Sequence, residues 1–140
     1  MSRASDVATD PEGSVYVTGI TDGSIGGPNR GSIDAWLVKY DPAGAVLWKQ
    51  QIGTDQVDNA NGVASDAEGN VYVTGSANES GGWVAKYAAE GRMLWKRQLG
   101  IPVDGRDVAT DRFGSLYVAG ATWCSRSDAD VWLAKYSTRR

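Results

Sequence analysis

The sequence predicts an all-β protein assembled from repeated four-stranded antiparallel meanders. Three observations carry this expectation. A set of short motifs returns through the 140 residues, the motifs are built of β-branched and aromatic residues, and the segments between them are turn sequences. The first pass runs Asp6-Val-Ala-Thr-Asp10, Val15-Tyr-Val-Thr-Gly19, Trp36-Leu-Val-Lys-Tyr40 and Leu47-Trp-Lys-Gln-Gln-Ile-Gly53. The second runs Gly62-Val-Ala-Ser-Asp66, Val71-Tyr-Val-Thr-Gly75, Trp83-Val-Ala-Lys-Tyr87 and Leu94-Trp-Lys-Arg-Gln-Leu-Gly100. The third has Asp107-Val-Ala-Thr-Asp111, Leu116-Tyr-Val-Ala-Gly120 and Trp132-Leu-Ala-Lys-Tyr136.

Each element has a local reason. Asp10-Pro-Glu-Gly-Ser14 is a turn in which Pro11 presets φ, Gly13 tolerates positive φ and Asp10 bonds the turn backbone. Asp66-Ala-Glu-Gly-Asn70 and Asp111-Arg-Phe-Gly-Ser115 keep the same Asp and Gly, so the acids read as turn caps. Val15 to Thr18 suits a pleated, half-buried surface. Trp36 to Tyr40 alternates, with Trp36, Val38 and Tyr40 on one face and Leu37 and Lys39 on the other. Asp41-Pro-Ala-Gly44, or Ala88-Ala-Glu-Gly91 in the second copy, then turns into the strand bearing Trp48 or Trp95. No window has helical periodicity, and no helix is expected.

The spacing is uneven. Trp36 to Trp83 is 47 residues and Trp83 to Trp132 is 49, whereas Tyr16 to Tyr72 is 56 and Tyr72 to Tyr117 is 45. The variation falls in the connections between second and third strands and between repeats. In a meander those connections share one end of the unit, so one end is variable and the short-turn end is constant.

Four-stranded sheets recurring every ~40–50 residues are the mark of β-propeller blades, and a β-helix solenoid needs much shorter repeats. The boundaries read as one domain over 1–140, with blades at about 6–53, 62–100 and 107–136. The Asp-Val-Ala-Thr-Asp-Pro-Glu-Gly-Ser-Val-Tyr-Val-Thr-Gly run, with Asp34-Ala-Trp-Leu-Val-Lys-Tyr-Asp-Pro-Ala-Gly and Leu47-Trp, resembles the bacterial and archaeal SBBP family of β-propeller repeats. The resemblance covers nearly the whole chain. It implies the fold and parent proteins that are secreted or on the cell surface, and it brings no catalytic motif. The second copy departs from the pattern, with Gly81-Gly82 where Asp34-Ala35 and Asp130-Val131 stand elsewhere.

Two full blades and three strands of a third cannot close a ring, because propellers have about four to eight blades. Two chains would supply six. The expectation is a homodimer around the propeller axis, the first blade of each chain packed on the third of the other. The rival expectation is a piece excised from a longer surface array, without activity of its own.

Composition narrows the chemistry. Net charge is −3, which argues against a nucleic-acid partner, since that needs a concentrated basic face. There is no histidine and one cysteine, Cys124, so no intramolecular disulfide, no Cys/His zinc site and no histidine-paired nucleophile is expected. No apolar run has the length of a signal peptide core or a membrane helix, and no membrane partner is expected. The Asp55 to Asn61 and Asp104 to Asp107 clusters do not match an EF-hand loop, so neither metal nor cofactor is expected.

The recurring aromatics Trp36, Tyr40, Trp48, Trp83, Tyr87, Trp95, Trp132 and Tyr136 are expected to form the core between blades. Lys39, Lys86 and Lys135, like Lys49 and Lys96, are expected to be solvated or snorkelling on outer strands. The favoured function is a non-enzymatic binding module with self as partner. Its variable end would gather Asn29, Arg30, Asp34, Asp55, Asp58, Asn61, Arg106, Trp123, Arg126 and Asp128 for a glycan or protein ligand. The alternative is a hydrolase or lyase working with carboxylates such as Asp34 and Asp130 at the channel mouth. A third reading is an assembly unit without a ligand.

Overall fold

A computed structural model describes residues 2–23, 33–53, 57–77, 81–100, 103–122 and 131–137. These form eleven antiparallel strands in three sheets. The first sheet is β1 (Ser2–Thr9), β2 (Val15–Thr21), β3 (Asp34–Tyr40) and β4 (Val46–Ile52), in that order. The second is β5 (Asp58–Ser65), β6 (Val71–Ala77), β7 (Gly81–Tyr87) and β8 (Met93–Gly100). The third contains β9 (Val103–Thr110), β10 (Ser115–Thr122) and β11 (Val131–Ser137). The meanders and the three-stranded last sheet are those expected. The first strands, however, start at Ser2, Asp58 and Val103, four residues ahead of the boundaries read at 6, 62 and 107.

A bulge explains those earlier starts. The register of β1 on β2 slips between Ala4 and Asp6, of β5 on β6 between Ala60 and Gly62, and of β9 on β10 next to Gly105 and Asp107. One extra residue breaks the alternation that marks a strand, so the segment ahead of it loses its signature. The bulge also brings the first strand's backbone over the second strand at Gly19, Gly75 and Gly120. A Cβ there would overlap the carbonyl oxygen of Arg3, Asn59 or Asp104.

The short turns are built as their residues dictate. Asp10 Oδ1 accepts the backbone N–H of Glu12 and Ser14 at 3.0 Å each, and Asp66 and Asp111 repeat this with Glu68 and Asn70, and Phe113 and Ser115.

The sheets stack face to face. Ala8, Tyr16, Ala35, Leu37, Trp48 and Ile52 of the first pack on Val63, Val71, Val73, Trp83, Ala85 and Tyr87 of the second. The far face of the second offers Ala64, Tyr72, Val84, Trp95 and Leu99 to Val108, Leu116, Val118, Trp132 and Tyr136 of the third. Each blade thus has one face toward the preceding blade and one toward the next. The innermost strands meet one another, β1 with β5 and β5 with β9, which places them at the axis. Hydroxyls tie them together there: Ser65 Oγ donates to the Thr9 carbonyl at 2.6 Å, and Thr110 Oγ1 to that of Ser65.

Of the eight aromatics expected between blades, Trp48, Trp83, Tyr87, Trp95, Trp132 and Tyr136 lie in the two inter-blade clusters, and Trp36 and Tyr40 belong to neither. Trp83 and Tyr87 are buried, Trp48 stacks on Tyr87 at 6.4 Å, and Trp95 lies 6.3 Å from Tyr72. Trp36 is buried, while Tyr40, Trp132 and Tyr136 are half-buried. The lysines require a correction. Lys39 and Lys86 are buried between blades, on third strands and not on outer ones. The Lys39 ammonium lies 5.4 Å from the centre of the Tyr16 ring and donates to the Ala89 carbonyl of the next blade at 2.9 Å. Lys86 over Tyr72 and Lys135 over Tyr117 repeat the stack at 5.5 and 5.7 Å. An aromatic face and a carbonyl replace the water that a buried ammonium loses. Lys49 is exposed as expected, but Lys96 is half-buried over the Trp83 ring, and burial holds its pKa below the ordinary lysine value, against the raising effect of Asp58.

Candidate interaction surfaces

Of the ten residues assigned to the variable end, Asn29, Arg30, Asp55, Trp123, Arg126 and Asp128 lie outside the described residues, as does Asp130. The other four divide. Asp34 and Asp58 are enclosed, not displayed. Asp34 Oδ2 accepts the Gln51 side-chain amide at 3.0 Å, and that amide also donates to the Gly23 carbonyl at 2.9 Å. The Asp58 backbone N–H donates to the Ile33 carbonyl at 2.9 Å. The Asp34 carboxylate thus ties β3 to Gln51 of β4, and the Asp58 backbone ties the start of β5 to Ile33. That corrects their placement as accessible ligand groups, and Asp34 is withdrawn from any substrate.

Asn61 and Arg106 come together. They are the bulge residues of β5 and β9, with Ser5 in the same place on β1. Asn61 Nδ2 donates to the Gly105 carbonyl at 2.7 Å, joining the second blade to the third. Arg106 is exposed, and its Nε sits 2.9 Å from Asp104 Oδ2 while Asp104 Oδ1 accepts the Ala121 N–H. Of the four assigned groups among the described residues, Arg106 is the exposed one.

The turn end carries a network that motif reading missed. The second oxygen of each cap takes a phenol: Tyr16 donates to Asp10 Oδ2 at 2.9 Å, Tyr72 to Asp66 at 2.7 Å and Tyr117 to Asp111 at 3.0 Å. The signal was present as an Asp six residues before a Tyr in all three copies. Burial, then the hydrogen bond to Asp10 and the charges of Asp10, Asp66 and Glu12, push the Tyr16 phenol well above its ordinary 10.0. The folded chain thus keeps a proton that the unfolded chain sheds above pH 10.0. The stabilisation from this group is complete below that pH and is lost as pH rises through the folded value. Stability measured by urea unfolding is expected to fall above about pH 10, and Tyr16→Phe is expected to flatten that fall.

Cavities follow the blade junctions at this end. One of about 340 Å³ is bounded by Asp66, Glu68, Lys86, Arg112 and Phe113, and its counterpart of about 130 Å³ by Asp10, Glu12, Lys39 and Ala89. The smaller junction is filled by the β7–β8 turn: the Ala89 carbonyl accepts Trp48 Nε1 and Lys39 Nζ, and the Gly91 carbonyl accepts the Gln50 amide. Among the described residues no group of three or more acids, cysteines or histidines is arranged to hold a metal ion.

The two end faces of the array leave apolar side chains open. On the first blade, Val7 is 60% exposed although its counterparts Val63 and Val108 are buried at 4% and 6%. On the third, Leu133 is 67% exposed where Leu37 and Val84 are wholly buried.

Antiparallel four-stranded sheets stacked around an axis by their first strands define a β-propeller array. The beta-propeller repeat SBBP matches residues 47–82 and 94–124 of the chain. No curated protein matches the sequence. Among solved structures the chain is similar to a protein of unknown function from Bacteroides caccae, solved at 1.35 Å, with TM-score 0.55 and 11% identity. The match covers 97% of this chain and 46% of the other, so the chain spans less than half the length of that protein.

Proposed function

We propose that the chain is a non-catalytic propeller scaffold that closes a six-bladed ring with a second copy of itself. Its loop end then presents polar side chains, Arg106 among them, to a glycan or a protein partner. The observation carrying this is that the two exposed end faces are the two halves of the interface repeated inside the chain. The face of blade one with Val7, Val15 and Val17 matches those of Val63, Val71 and Val73, and of Val108, Leu116 and Val118. The opposite face of blade three, with Tyr117, Leu133 and Lys135, matches those of Tyr16, Leu37 and Lys39, and of Tyr72, Val84 and Lys86.

A polar link crosses the first junction, where Gly62 stands at the position that Asp6 and Asp107 hold in the other copies. Asp6 Oδ2 accepts the Val63 N–H across the first junction at 2.9 Å. Burying Val7, Val131 and Leu133 removes an apolar surface that soluble chains rarely leave open.

Light scattering on a sizing column at micromolar concentration tests the closure. A mass of twice 14.9 kDa is expected, falling to 14.9 kDa for Leu133→Asp. A monodisperse wild-type monomer, or an open-ended series of larger species, overturns the ring. A glycan array and a pull-down then probe the loop end. Joint replacement of Arg30, Arg106, Trp123 and Arg126 is expected to abolish whatever binding they detect, and intact binding would remove that face from recognition.

A further inference from the structure

We infer that Lys96 is a covalent acylation site, an amine that takes the acyl group of a small, uncharged thioester. The inference rests on the junction of blades one and two and not on ring closure. The chain has five lysines, Lys39, Lys49, Lys86, Lys96 and Lys135, and their environments differ. Lys49 and Lys135 are exposed, Lys39 and Lys86 are buried, and Lys96 alone is half-buried.

A reactive amine has to give up its proton, keep its lone pair unengaged and remain within reach of the reagent. An exposed lysine is within reach, but water solvates its ammonium and favours the charged form. Lys39 fails on the other two counts. It is enclosed over Tyr16, and its nitrogen is bonded to the Ala89 carbonyl at 2.9 Å. Lys86 is enclosed in the same way over Tyr72.

Lys96 meets all three conditions. It stands opposite Ala85, two residues along from Trp83 and on the same face of the sheet, so its ammonium lies 5.1 Å from the centre of the Trp83 ring. An aromatic face attracts a cation but engages no nitrogen lone pair. Among the described residues no oxygen accepts a hydrogen bond from this nitrogen. Burial favours the neutral amine and outweighs the Asp58 carboxylate of β5, which favours the ammonium. The next cation along the strand, Arg97, is turned to the other face over Trp95 and Tyr136.

Asp58 also selects the reagent. A carboxylate near the amine repels an anionic acyl donor, whereas an uncharged thioester meets no such barrier. In the step, the neutral amine attacks the thioester carbonyl carbon. The C–N bond forms, the C–S bond breaks, and the departing thiolate takes up the proton that the nitrogen releases. The amide produced has no charge, so Trp83 loses its cation and the junction loses that contact.

The test is competitive labelling of the folded chain with a limiting amount of the acetyl thioester of N-acetylcysteamine at about pH 8, read by mass spectrometry of the peptides. Lys96 is expected to be acetylated at least about threefold faster than Lys49, and Lys39 and Lys86 more slowly than either. In the urea-unfolded chain the five lysines are expected to react alike. Acetyl phosphate, an anionic donor, is expected to show a smaller preference for Lys96. Lys96→Arg is expected to remove the fast site and to leave the other rates unchanged. Equal or faster reaction of Lys49 in the folded chain, a preference for Lys96 that survives unfolding, or an undiminished preference with acetyl phosphate would each overturn the inference. None of these readings depends on whether the chain is a monomer or a dimer, so the ring can fail without it and it can fail without the ring.

Discussion

Trp83→Ala is expected to lower the free energy of unfolding by about 3–5 kcal/mol, the range for removing a large aromatic from a packed core. Trp83 is the largest wholly enclosed side chain among the described residues, at 1% exposure, and lies where blades one and two meet. The cost has two parts. The lost indole leaves a void that Val71, Val73 and Ala85, rigid in the sheet, cannot fill, and Lys96 loses the aromatic face beneath its ammonium. Trp132→Ala, the same motif position in the half-covered third blade, is expected to cost less than half as much. Urea unfolding of both variants checks this. Equal losses would mean that the fourth strand contributes nothing to the burial of the motif tryptophan.

Gly75→Ala is expected to destabilise by about 3 kcal/mol, at the upper end of overpacking costs, although the same exchange ordinarily gains about 0.5–1 kcal/mol in a strand. The sign turns because a Cβ at Gly75 would overlap the Asn59 carbonyl oxygen and come within 2.9 Å of the Ala60 Cα. Backbone cannot rotate away as a side chain does, so either the β5 bulge or the β5–β6 pairing must yield. Gly23→Ala, whose Cβ would meet nothing nearer than the Thr21 hydroxyl at 3.7 Å, is the control and is expected to change stability by less than about 0.5 kcal/mol. Thermal unfolding of the two variants side by side decides. If Gly75→Ala proved neutral, the bulge would be able to relax and the glycine would be incidental.

Strand order and core aromatics were legible because their information is local. Alternation in Trp36 to Tyr40 and turn chemistry at Asp10 and Asp41 depend on residues within a few positions of each other. What escaped depends on neighbours far along the chain. Alternation put Lys39 opposite Trp36 correctly, but which face meets the Ala89 carbonyl, 50 residues on, is written in no local pattern. Asp34 and Asp58 looked like loop-end acids, and only the fold encloses them. Asp10 was read as a cap from one of its oxygens. The other waits for Tyr16, which follows at a spacing that belongs to no turn motif.

The hydroxyls at the axis give the array a sense of rotation. Thr110 donates to Ser65, and Ser65 donates to Thr9, always from the later blade to the earlier one. Head-to-tail extension repeats these bonds, whereas two blade-three ends would set carbonyl against carbonyl. Assembly errors of the inverted kind are thereby disfavoured before any apolar surface touches. In the proposed ring, the Thr9 hydroxyl of each copy would meet the Thr110 carbonyl of the other, and the one-way chain of bonds would have no beginning.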